Sequence, residues 1–215
     1  MPQRDASGVP VFNAMPPAVL LLAVPIVAVA ILEFAAPELW RWIVAASLVV
    51  AVGPGATAPV QPLGPYAPLV LHVFIHFGLA HLAMNVGVLL GAGRPVGMAF
   101  GTGLRGTIGF LALFFICAIA GAGLDILLHS GEMSTMGGAS TGVSGLIAAV
   151  GWVTGGRRGM LRLAVPWILI NIAIALVNLV YPIPIGWAAH IGGTLAGAVL
   201  TPAFIAIFRP RRPQG

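Results

Sequence analysis

The sequence contains no lysine, a single cysteine and only five carboxylates in 215 residues. Charged residues make up 7% of the chain, against about 25% in a soluble domain. So few charges exclude a water-covered globule and leave a membrane protein as the class that fits. The lone Cys117 excludes an intrachain disulfide and a thiolate metal site, and its apolar surroundings mark it as a small core or lipid-facing residue. With lysine absent, all ten cations are arginines. The net charge of +5 is nevertheless no sign of a nucleic-acid partner, because these arginines stand at the ends of apolar runs, as the positive-inside rule places them.

What is present is hydrophobic length: 59% of the residues are apolar. Residues 1–15 are polar and read as a short arm. Residues 16–208 read as one membrane domain, and 209–215 as a tail. The apolar runs 16–32, 69–92, 106–128, 139–153, 163–180 and 187–208 approach the roughly 20 residues of a spanning helix. The fold class expected is all-α, a polytopic six-helix transmembrane bundle. A signal peptide competes for 16–32, but bulky residues and Glu33 follow where a cleavage site belongs. Residues 34–68 read as an outer loop region. It carries an interfacial helix around 38–52, with Trp40 and Trp42 suited to the headgroup layer, and five prolines between 54 and 68 that forbid a long helix. Six spans bring both ends of the chain to one side. Placed in the cytoplasm, that side receives every arginine except Arg41. The expected location is a bacterial inner membrane crossed several times, with both termini cytoplasmic.

Polar groups at membrane depth are costly and usually functional. Those singled out are His76, His81, Asn85, Ser140 and His190. Ser140 lies in the small-residue run 136–147, at the head of an apolar segment. A serine there commonly caps the helix. Two distant stretches alter that reading: His72-x3-His76-x4-His81-x3-Asn85 before it, and Ala189-His190-Ile-Gly-Gly193 after it. His81 and Asn85 are four apart and share a helix face. Ala189, Gly193 and Gly197 form a small-residue ladder, and Ser140, Ser144, Ala148 and Gly151 form a second. Two such faces pack closely and would bring His190 to Ser140, the pairing that activates a serine nucleophile. The start of the helix behind Ser140 offers unpaired N–H groups for an oxyanion, and His81 and Asn85 offer side-chain donors. The reading finds no carboxylate to orient His190, so a Ser–His dyad is expected.

These motifs, in this order, resemble the rhomboid family of intramembrane serine proteases: His76-x4-His81-x3-Asn85, Gly138-Ala-Ser140 and His190-Ile-Gly-Gly. The resemblance spans roughly residues 16–208. It implies six helices around a cavity, Ser140 as nucleophile, His190 as base, and His81 with Asn85 at the oxyanion. It also implies transmembrane segments of other proteins as substrates, a lipid bilayer as surroundings, and neither metal nor cofactor. One departure stands out. The family pattern Gly-x-Ser-Gly reads Gly138-Ala-Ser140-Thr141 here, while Gly142-Val-Ser144-Gly145 fits it literally. Ser144 is therefore the alternative nucleophile. Thr141 also motivates an alternative function, an inactive rhomboid-like protein that binds membrane helices. A transporter is disfavoured, since no internal repeat is visible. Other polar residues have simpler readings. His72 and His76 are expected at a loop–helix junction, satisfied by backbone carbonyls. Asp125, His129 and Glu132 are a polar loop rather than a metal site. Arg157 and Arg158 are topology signals. Thr194 and Ser144 are expected to bond backbone carbonyls.

Overall fold

A computed structural model describes residues 15–52, 55, 57, 59–129 and 134–209. It contains α1 (Pro17–Ala35), α2 (Pro37–Ser47), β1 (Val49–Ala51), α3 (Pro68–Leu71), a 3-10 turn (His72–Phe74), α4 (Leu79–Phe100), α5 (Leu104–Leu128), β2 (Ser134–Met136), α6 (Ser140–Asn178) and α7 (Trp187–Phe208). Five helices, α1, α4, α5, α6 and α7, are long and apolar enough to cross a bilayer. The protein is an all-α, multi-pass membrane protein. Its outward side chains agree: Val24, Leu169 and Val199 are more than half exposed, which only lipid tolerates in such density.

The 39 residues of α6 would run about 58 Å if straight, close to twice the hydrocarbon core. They do not run straight. Gly155 and Gly156 have non-helical backbone angles, Gly156 with φ +57°, and the second limb folds back along the first. The two limbs touch at Gly151 and Gly159, where a Cβ on Gly151 would lie 2.6 Å from the Gly159 carbonyl oxygen. Counting both limbs, the bundle crosses the membrane six times. The turn expected over 154–162 thus shrinks to two glycines, and Arg157, Arg158 and Arg162 belong to the second limb.

Three other expectations need correction. The span expected over 69–92 is displaced: α3 and the 3-10 turn occupy 68–74, and the spanning helix is Leu79–Phe100. The glycine-rich stretch 93–105 between the second and third expected spans shrinks to a turn at 101–103, and Gly93, Arg94 and Pro95 are helical. Gly93 and Gly97 are there for packing, since a Cβ on Gly97 would meet Pro16 at 2.8 Å and one on Gly93 would meet Val19 at 3.2 Å. Proline inside a membrane helix is tolerated where neighbours satisfy the backbone. The interfacial helix around 38–52 ends at Ser47, and the chain then forms β1, which pairs antiparallel with β2 in the register Val49↔Met136, Val50↔Thr135, Ala51↔Ser134. Three-residue strands carry too little alternation to be seen in sequence.

Glycine contacts set the ends of the bundle. A Cβ on Gly109 in α5 would fall 2.6 Å from Phe208 Cβ, and Arg105 donates to the Ile207 carbonyl. Pro16 lies against Gly97 near the end of α4. Residues 16 and 208 therefore share one end. The two-stranded sheet, the 72–76 segment and Ser140 occupy the other. α7 packs chiefly against α5 and α6, and its other face, with Leu195 and Val199, is exposed.

Candidate active site

Ser140 opens α6, but the helix has no side-chain cap, and its N-cap position is Ala139. The capping role is thus not the one the serine plays. The turn before it is clamped from several sides. β2 pins residues 134–136. The Gly138 N–H donates to the His72 carbonyl at 2.7 Å, and the Ala139 N–H donates to His76 Nε2 at 3.3 Å. Gly138 has φ +123°, a conformation that suits glycine alone. A Cβ there would also strike His81, 2.7 Å from Cε1 and 2.8 Å from Nε2.

Thr141 is fully buried, and its hydroxyl meets His72 Nε2 at 2.9 Å. His72 Nδ1 lies 2.9 Å from the Pro68 carbonyl oxygen, which can only accept, so Nδ1 carries a proton. Burial pushes the His72 imidazole down to about 4, so the ring is neutral and Nε2 is an acceptor. Thr141 must donate to it. The threonine methyl packs towards α5, 3.2 Å from where a Gly121 Cβ would be. The residue that departs from the family pattern is turned into the core and tied to a histidine 69 positions away.

His81 is half-buried beside the serine turn. The Phe77 N–H donates to its Nδ1 at 3.4 Å. In the neutral ring the proton is then on Nε2, the atom that borders Gly138. Ser140 Oγ borders the same spot, 3.8 Å from a Gly138 Cβ. Asn85 is buried, and its Nδ2 donates back to the His81 carbonyl at 3.0 Å. That leaves one of its two amide hydrogens without a partner among the described residues. Behind the serine, the N–H groups of Ser140, Thr141 and Gly142 have no intrahelical acceptor.

His190 is brought up by glycine packing. A Cβ on Gly193 would lie 3.0 Å from the Thr141 carbonyl carbon, and one on Gly121 would lie 2.5 Å from the Ala189 oxygen. These contacts hold the α7 turn that carries His190 against the start of α6 and against α5. Among the described residues no hydrogen bond joins Ser140 to His190. Nδ1 of His190 instead meets Asn171 Oδ1 at 2.8 Å. The Trp167 ring lies against the imidazole, 5.6 Å between centroids and 31° between planes. Trp167 Nε1 donates to Ser144 Oγ at 3.1 Å.

The sequence reading thus meets the structure unevenly. Ser140, His81 and His190 are each half-buried. Ser144 is buried and engaged by a tryptophan rather than by a carbonyl; Thr194 does bond a carbonyl, that of His190, at 2.7 Å. His72 meets a carbonyl as expected, whereas His76 accepts from a backbone N–H and its Nδ1 has no protein partner among the described residues. Glu132 lies outside the described residues. Asp125 and His129 face each other, with Nδ1 3.0 Å from the Asp125 carbonyl oxygen. Cys117 is in the core, against Gly145. Asn171 and Trp167 were missed. An uncharged amide inside the run 163–180 is the same kind of costly polar group that singled out Asn85, so Asn171 had a signal; Trp167 had none.

Residues 64–207 match the family model described as Rhomboid domain. None of the curated proteins matches the sequence.

Proposed function

This chain belongs to the rhomboid family, and from that premise we propose that it is an intramembrane serine protease. Ser140 is the nucleophile and His190 the base, and transmembrane segments of other proteins are the substrates. The observation that carries this reading is the direction of Thr141. Its hydroxyl goes to His72 and its methyl towards α5. The side chain that replaces the family glycine therefore does not crowd the serine, and the case for an inactive helix-binding protein loses its motive.

In the reaction, Ser140 Oγ attacks the scissile carbonyl carbon and its proton passes to His190. The carbonyl oxygen becomes an oxyanion. It is held by the free N–H groups at the start of α6 and by His81 Nε2–H, with Asn85 as a further donor. Collapse of the tetrahedral adduct breaks the C–N bond, and His190 returns the proton to the leaving amine. Water then attacks the acyl-serine by the same route. Losing one such donor typically costs about a hundred- to a thousand-fold. Ser144 suits the nucleophile's role less, because it is buried and already accepts from Trp167.

The test is fluorophosphonate labelling of the detergent-solubilised protein, with an active rhomboid in parallel. Label on the wild type and on Ser144→Ala, with none on Ser140→Ala or His190→Ala, is the expected pattern. Label that follows Ser144 would move the nucleophile by one helical turn. An unlabelled wild type beside a labelled control would return the helix-binding reading.

A further inference from the structure

We propose that Asn171 is a positioning residue for His190, so that the site works as an oriented Asn–His–Ser array rather than a bare dyad. The proposal rests on the reading of Ser140 and His190 as nucleophile and base. Asn171 is completely buried, at 0% exposure. Its Nδ2 lies 2.8 Å from the Trp167 carbonyl oxygen, which can only accept. The amide nitrogen must face that carbonyl, so the amide oxygen must face His190. At 2.8 Å from Nδ1, that oxygen requires a proton on Nδ1. In a neutral imidazole Nε2 then keeps its lone pair, and this is the tautomer a general base needs.

The ring is held in one further way. Trp167 lies over its face, and Trp167 is itself fixed by its bond to Ser144. All three supports come from the α6 hairpin: Ser144 from the first limb, Trp167 and Asn171 from the second. Trp167 and Asn171 are four residues apart and share one face. The break at Gly155–Gly156 is what brings that face to α7. An asparagine in this role occurs in nucleophilic hydrolases of other folds, where it orients the histidine without taking its proton.

A structural tie between α6 and α7 would produce the same contacts, so the test must read the base itself. In the wild-type protein labelled with 15N-histidine, the His190 signals, assigned by their absence in His190→Ala, are expected to show a protonated Nδ1 and an unprotonated Nε2. Asn171→Leu keeps the branched heavy-atom skeleton and removes the acceptor. Its fluorophosphonate labelling rate at saturating probe is expected to fall about tenfold or more, the factor that corresponds to roughly 1.4 kcal/mol. The probe concentration for half-maximal rate stays unchanged. A wild-type His190 with its proton on Nε2 would overturn the proposal without need of a variant. So would an Asn171→Leu protein that labels at the wild-type rate while Ser140→Ala and His190→Ala stay silent. Loss of rate together with an equal loss in probe affinity would reduce Asn171 to a structural tie. A wild type that takes no label overturns this proposal along with the protease reading it rests on.

Discussion

At the scale of single residues, Thr141 shows how a departure from a family pattern is absorbed. A threonine beside the nucleophile reads in sequence as an obstruction. In the folded chain its hydroxyl satisfies a buried imidazole, and its methyl fills the space beside Gly121. Restoring the family's glycine should therefore harm the protein. Thr141→Gly leaves His72 Nε2 buried without a donor, a loss of about 1–3 kcal/mol, and adds backbone freedom at the first turn of α6. We expect a lower thermal midpoint in detergent and no gain in fluorophosphonate labelling. A variant that is as stable as the wild type and labels faster would show that Thr141 does obstruct the serine. The hydroxyl's partner was not legible beforehand. Nothing in a run of letters pairs residue 72 with residue 141.

At the scale of elements, close approach is the theme. α7 meets the first limb of α6 through glycines, and a Cβ on Gly197 would lie 2.7 Å from the Gly145 Cα. Backbone cannot yield as a flexible side chain does, so the helices must separate. Gly197→Ala is expected to cost about 1–3 kcal/mol through overpacking. It should slow labelling too, because α7 carries His190. Gly123 on α5 is the control: a Cβ there meets nothing within 4 Å, and Gly123→Ala should be neutral or stabilising by up to about 1 kcal/mol. Unfolding midpoints and labelling rates of the two variants check this, and equal behaviour would refute the packing account. The small-residue ladder on α7 was readable from its spacing. The displacement of α4 was not, because the glycines and proline near residue 95 carry the signature of a turn while serving as contacts for Pro16 and Val19.

At the scale of the whole molecule, every described arginine except Arg41 lies towards one end of the bundle. Arg105 and Arg209 lie where α5 begins and α7 ends, Arg94 is in the last part of α4, and Arg157, Arg158 and Arg162 follow the α6 break. That end also carries Pro16 and Phe208. We propose from the positive-inside rule that this end faces the cytoplasm and that the serine turn faces the other side. A green fluorescent protein fused after residue 215 should fluoresce in a bacterial host, and alkaline phosphatase at the same place should be inactive. A reporter inserted between α5 and β2 should behave in the opposite way. Active phosphatase at the C-terminal fusion would reverse the orientation.

What the sequence determined by itself is what depends on solvent and on local pattern. The shortage of charge and the long apolar runs leave lipid as the only surroundings. The spacing of His81, Asn85, Ser140 and His190 points to the family. These properties are written along the chain, one residue or one turn at a time. Tertiary structure alone decided which partners the buried hydroxyls and the His190 ring meet. Ser144 accepts from Trp167, Thr141 is paired with His72, and His190 Nδ1 meets the Asn171 amide oxygen. Each of those bonds joins residues 19 to 69 positions apart, and their partners become neighbours only after the α6 hairpin closes and the glycine faces meet. A hydrogen bond within a helix has a fixed spacing to be read from. One between helices depends on the packing of the whole bundle.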